Sequence, residues 1–240
     1  MHRPTRDADL LGFGSPDQVI VEKAFKEICS ESAPEDGLNF DLDSIAVEAI
    51  RETDEYDGLR VRVKANLDGA QVTVQVDIGY GDVVTPAIER IDLPSYLGLP
   101  PAALRAYPKE TVIAEKTEAM VKFGIANSRM KDFFDNKWLS DHYQFDGKVL
   151  SQAIKATFER RNTQLPNETP VALSSDCFAD TAKRTQWNAF ARKLNPPSTD
   201  TFHDVGERVI AFLLPPLLAA RTTSFNQKWV IEKGWSDLDG

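Results

Sequence analysis

The sequence has few of the residues that would fix its class outright. Only Cys29 and Cys177 are cysteines in 240 residues, which excludes a disulfide framework and fits a reducing, cytoplasmic setting. His2, His142 and His203 are scattered, with none of the spacings of a zinc site. No apolar run is long enough to span a bilayer. The best stretch, Val209 to Ala220, is short and carries Pro215 and Pro216, so it reads as a buried helical segment broken at those prolines. The charged start of the sequence lacks the apolar centre of a signal peptide. Positive charge is scarce too. A net charge of -9 excludes a chain built mainly to coat nucleic acid, although a local basic site can exist within an acidic whole.

What is present is an ordinary globular composition, 42% hydrophobic and 27% charged, long enough for one large domain or two small ones. Ser15-Pro16-Asp17 opens a helix expected over residues 16–29, with Ser15 as N-cap and Val19, Ala24, Phe25 and Ile28 apolar. Residues 31–58 carry ten acidic side chains against Arg51 alone. They read as a solvated face or loop around a short helix at 44–51.

The clearest local pattern is 59–78. "LRVRVKAN" and "AQVTVQVDI" each alternate polar and apolar, and Asp68-Gly69 between them is a strong hairpin signal. With a two-residue turn, Leu67 faces Ala70, so Val61, Val63, Val74 and Val76 share one face. Arg60, Arg62 and Lys64 share the other with Thr73, Gln75 and Asp77, and Arg60 falls opposite Asp77. The apolar face needs a cover, most simply the first helix, giving a sheet with helices on one side. A short strand is expected near 87–93. From Pro108 the period becomes helical, with helices expected over 110–124, 127–139, 148–161, 177–194 and 201–220. The organisation is an α+β sheet domain, 1–104, followed by a helical domain, 105–240.

Two features carry chemistry. In "RPTRDADLL", Asp7 and Asp9 would project from the same side of a strand. Two such carboxylates can share a hard divalent cation such as magnesium, and Asp77, ending a strand on a polar face, is the natural third. Two facts keep the alternative open. D-x-D recurs at Asp41–Asp43 and Asp237–Asp239, and Asp77 also suits a cross-strand pair with Arg60. The second feature is Lys116, which falls inside an apolar stripe of Val112, Ala119, Met120 and Phe123. A lysine there must snorkel or meet an anion, either a nucleotide phosphate or a structural carboxylate such as Glu115 or the acidic pair. In the next helix Met130, Phe133, Phe134 and Trp138 form the core face. Arg129 with Asp132, and Lys131 with Asp135, stand at the spacing of surface ion pairs. Between Arg105 and Lys131 six basic residues face three acidic ones, the main positive island in the chain.

"RPTRDADLL", "VQVDIGYGD", "YPKETVIAEKTEAMV" and "NSRMKDFFD" occur in that order. Together they resemble the nucleotidyltransferase-like AbiEii/AbiGii toxin family. Its marks are an R-x-T-x-D-x-D strand, a later strand aspartate, a helix with A-E-K-x-x-A and a helix opening S-R-x-K-D-x-x-D. The resemblance spans about residues 3–139.

The resemblance implies a nucleotidyltransferase-like mixed sheet with flanking helices, followed by a helical C-terminal domain. It implies that Asp7, Asp9 and Asp77 are catalytic and metal-binding. It further implies that Lys116, Arg129, Lys131 and Asp132 are nucleotide-binding, and that Arg3 and Thr5 match the strand leading into the pair. The implied activity is transfer of a nucleotide from a nucleoside triphosphate, with Mg2+, to an acceptor such as tRNA, by a toxin with a cognate antitoxin. The alternative is a catalytically inactive binding protein on the same fold. In the family a Gly-Ser or Gly-Gly turn at a helix start precedes the acidic pair by about ten residues and holds phosphate on its amides. Here the pair begins at position 7 and Gly12-Phe13-Gly14-Ser15 follows it, so that turn is expected outside this sequence.

Overall fold

The computed structural model describes the chain except residues 1–4, 6, 32–35, 52–56, 96–97, 223–224 and 238–240. It divides into two compact units. One holds Pro4–Asp82 and Ser95–Leu99, and the other is built on Val83–Pro94 and Pro100–Gly240.

The sheet unit contains β1 (Asp7–Gly12), α1 (Gln18–Ser30), β2 (Leu38–Arg51), β3 (Asp57–Leu67) and β4 (Ala70–Tyr80). The sheet order is β1-β4-β3-β2. β1 runs parallel to β4, while β4 to β3 and β3 to β2 are antiparallel, so the sheet is mixed. The hairpin has the register expected from the sequence: Leu67 pairs with Ala70, Val61 with Val76 and Arg60 with Asp77. Its turn works because Asp68 (φ 48°) and Gly69 (φ 83°) both take the left-handed region that a tight hairpin demands. Val61, Val63, Val76 and Ile78 are buried under Val21, with Phe25 and Cys29 packed beside them. The helix therefore covers the apolar face of the sheet.

Two local expectations in this unit are corrected. The helix is capped by Asp17, not Ser15. The Asp17 carboxylate accepts from the amides of Val19 at 2.8 Å and Ile20 at 3.1 Å, so the helix starts at Gln18. Its inward stripe is Val21, Phe25 and Cys29, at i, i+4 and i+8, which leaves Val19 76% and Ile28 63% exposed. Residues 44–51 form no helix but the second half of β2, a 14-residue strand. Ile45 is buried and Val47 half-buried while Ala46 and Glu48 are exposed, and pairing with β3 outweighs the helix preference of Ala and Glu. An irregularity in the register between Asp41 and Ala46 leaves Ser44 to accept the Lys64 amide at 2.8 Å.

The second unit opens with a ribbon of β5 (Glu89–Leu93) antiparallel to β6 (Ala102–Ala106). Then follow α2 (Lys109–Phe123), α3 (Met130–His142), β7 (Phe145–Asp146), α4 (Gly147–Arg160), α5 (Ser175–Ala179), α6 (Thr181–Ala191), α7 (Phe202–Ala219), β8 (Gln227–Val230) and β9 (Gly234–Asp237). Its core includes Ile113, Met120, Phe133, Phe158, Phe178, Trp187, Phe202 and Phe212. The small sheet β7-β8-β9 is not visible in the sequence pattern. The expected helix over 177–194 is two helices, because Asp180 caps α6 by accepting the Lys183 amide at 2.8 Å. α7 runs on through Pro215 and Pro216 where a break is expected. Val209, Phe212, Leu213, Pro216 and Leu217 are buried on one side, and that packing outweighs the amide bonds the prolines cannot make. Among the described residues no helix is long and apolar enough to cross a membrane.

Candidate functional site

β1 places Asp7 and Asp9 two residues apart on one face of the sheet. Parallel pairing sets Asp9 level with Asp77 on β4. The three side chains converge: one carboxylate oxygen from each of Asp7, Asp9 and Asp77 lies within 4.8 Å of the others. That separation is on the order of two metal–oxygen bonds of about 2.1–2.4 Å, and an all-carboxylate donor set suits a hard divalent cation. The residues present therefore fit the metal that the family resemblance implies.

Asp77 also has a second partner. Arg60, opposite it on β3, grips the carboxylate with a planar fork, Nε to Oδ1 at 2.7 Å and Nη2 to Oδ2 at 2.6 Å. These bonds hold the guanidinium above its ordinary pKa. Gln75 approaches the same Oδ1 at 3.4 Å. Neighbouring Arg62 is taken by Glu48 at 2.6 Å and reaches Gln75 at 3.3 Å. Both sequence readings of Asp77, metal ligand and cross-strand partner, thus have a geometric basis. Thr5 is exposed just ahead of β1, and Arg3 lies outside the described residues.

The second unit gathers its own charged cluster. Lys116 on α2 meets Asp135 of α3 at 2.8 Å and Asp132 at 3.6 Å. Its anions are thus carboxylates of α3. Glu115, one of the carboxylates offered by the sequence, lies 3.7 Å from Arg161. The inward face of α2 also differs from the expected stripe. Ile113, Ala114, Thr117 and Met120 are fully buried, Val112 is half-buried and Phe123 is exposed. This rotation sets Lys116 at the edge of the core, its side chain 16% exposed.

Asp132 is 0% exposed, so the expected surface pair with Arg129 is not a surface pair. Arg129 Nε stands 3.0 Å from Asp132 Oδ2. Neither Asp132 oxygen accepts a hydrogen bond among the described residues, so ion pairing alone meets its charge. Burial pushes its carboxyl pKa up, against the opposing pull of Lys116, Arg129 and Lys131.

The turn into α3 is braced by residues that sequence reasoning passed over. Asn127 Oδ1 accepts the Arg129 amide at 2.8 Å, and buried Lys183 of α6 donates to the Asn127 carbonyl at 2.5 Å. Asn127 sits two residues before Arg129, a spacing that offers an Asx turn as a local signal. Lys183 has no such signal, since its partner lies 56 residues away in sequence.

Comparison with known proteins bears on this architecture. A model of the AbiEii nucleotidyl transferase toxin family, type IV toxin–antitoxin system, matches residues 1–211. Among solved structures, JHP933 from Helicobacter pylori is similar with a TM-score of 0.48 and 14% identity, covering 92% of this chain and 78% of that one. A candidate nucleotidyltransferase from H. pylori is similar with a TM-score of 0.47 and 14% identity, covering 91% and 79%. No curated protein matches the chain. The family match covers most of the sequence and includes every motif quoted above, so the chain belongs to the AbiEii family of nucleotidyl transferase toxins of type IV toxin–antitoxin systems.

Proposed function

We propose that this chain is a metal-dependent nucleotidyltransferase that acts as the toxin of a toxin–antitoxin pair. It would transfer a nucleotide from a nucleoside triphosphate to an acceptor such as tRNA, with a cognate antitoxin as protein partner. The observation that carries this reading is the convergence of Asp7, Asp9 and Asp77 on one face of the mixed sheet, in a chain of this family.

A divalent cation, Mg2+ in this reading, supplies charge neutralisation for the triphosphate when bound. Asp7 and Asp9 would hold it from alternate positions on one face of β1. Asp77 would serve as third ligand and orient the attacking hydroxyl of the acceptor. In the second unit, Lys116, Arg129 and Lys131 would offset phosphate charge. Asp132, buried between Lys116 and Arg129, would keep both cations in place. A cytoplasmic location suits this chemistry, since nucleoside triphosphates and RNA are found there.

One observation favours a second reading, a catalytically inactive binding protein on the same fold. Both oxygens of Asp77 are engaged by Arg60, as in a purely structural cross-strand pair. Growth inhibition separates the two. Expression of the full chain without its antitoxin should arrest growth, and Asp9→Asn should abolish the arrest while the protein still accumulates folded. Equal arrest by the wild type and Asp9→Asn would reject the catalytic reading.

A further inference from the structure

Resting on the metal-dependent reading above, we propose that Arg60 is a built-in counter-cation of the carboxylate cluster. Its guanidinium holds Asp77 against the divalent cation and so sets how tightly the cluster binds metal.

The geometry differs from an ordinary surface pair. Asp77 and Arg60 are fixed opposite each other by strand register, and the fork engages both carboxylate oxygens. Both side chains are largely shielded, at 18% and 27% exposure, so water weakens the pair less than it would in the open. The neighbouring cation is spoken for, since Arg62 pairs with Glu48. Asp77 has a carboxylate oxygen within 4.8 Å of ligand oxygens on Asp7 and Asp9, so a cation fixed on Asp77 stands beside the whole ligand set.

Charge balance explains what such a residue does. Asp7, Asp9 and Asp77 with the Arg60 guanidinium leave two negative charges, which one divalent cation neutralises. Without Arg60 the cluster holds three, and it would bind a lone cation more tightly than a reversible metal–nucleotide site requires. In this arrangement Asp7 and Asp9 do most of the holding of a free cation. Asp77 contributes fully only when its oxygens are released from the fork.

The test is Mn2+ binding to the full chain, read from the paramagnetic resonance of free Mn2+ at low ionic strength, with circular dichroism to follow folding. Arg60→Gln, which keeps a hydrogen-bonding side chain and removes the charge, should tighten Mn2+ binding by about fivefold or more, while Arg60→Lys should stay within about twofold of wild type. Asp77→Asn should weaken binding by at least about threefold less than Asp9→Asn does in the wild-type background, and should erase the gain in the Arg60→Gln background. Equal or weaker binding by a folded Arg60→Gln chain overturns the proposal while leaving the metal site standing. If Arg60→Gln fails to fold, the comparison of Asp77→Asn with Asp9→Asn decides alone, and equal losses overturn it. Absence of Mn2+ binding in every form would overturn both this proposal and the metal-dependent reading.

Discussion

Lys116 reaches Asp135 at 2.8 Å, and the same ammonium lies 3.6 Å from Asp132, which is wholly buried. A pair of this kind is worth more when broken than when made, because the carboxylate left behind stays desolvated. Lys116→Met is therefore expected to lower unfolding free energy by about 2–4 kcal/mol. The double change Lys116→Met with Asp132→Asn should recover part of that loss. Denaturant titration of the two variants measures both effects.

Asp132 also supplies a pH signature. Burial raises its folded-state pKa above the ordinary 3.8, so the folded chain binds this proton more tightly than the unfolded chain does. The sign follows directly: the added stability is fully present below the ordinary value and is lost as pH rises through the folded value. Asp132→Asn carries no such proton. The stability difference, wild type minus Asp132→Asn, should shrink as pH rises from below 4 and level off once the folded group has ionised. Urea titrations of both chains at stepped pH provide the check.

Packing in the second unit gives a prediction independent of charge. A Cβ at Gly206 of α7 would lie 2.3 Å from the Phe178 ring, which is buried and has no room to retreat. Gly206→Ala gains about 1 kcal/mol of helix propensity. Overpacking against a fixed ring costs about 1–3 kcal/mol and wins. A net fall in melting temperature is expected.

If Asp7, Asp9 and Asp77 hold a cation in the folded chain, the cation must also stabilise it. Millimolar Mg2+ or Mn2+ should raise the melting temperature of the wild type, and a chelator should reverse the rise. The increment should vanish in Asp7→Asn and Asp9→Asn. Differential scanning fluorimetry reads this without any assay of activity.

The parts of the fold that were legible are those with a local cause. The β3–β4 register follows from strict alternation and the Asp68-Gly69 turn, which together place Arg60 opposite Asp77. The side-by-side projection of Asp7 and Asp9 needed only the two-residue period of a strand. The second half of β2 is not legible as a strand because Ala and Glu favour helix locally, while the β3 edge that makes it a strand is set by the hairpin. The break between α5 and α6 depended on Asp180 acting as a cap inside a periodic stretch. The Lys116–Asp135 contact and the Lys183 brace on Asn127 join residues on different helices, and no spacing rule reports such contacts.

The central claim, cation-dependent nucleotidyl transfer through the β1–β4 carboxylates, meets its most direct test in labelling. The full chain is incubated with Mg2+, each of the four α-phosphate-labelled nucleoside triphosphates in turn, and total cellular RNA including tRNA. The account predicts label on RNA with at least one nucleotide, abolished by chelation and by Asp9→Asn. Folded wild-type chain that transfers no label from any of the four, or an Asp9→Asn chain that labels RNA as well as wild type, would contradict it.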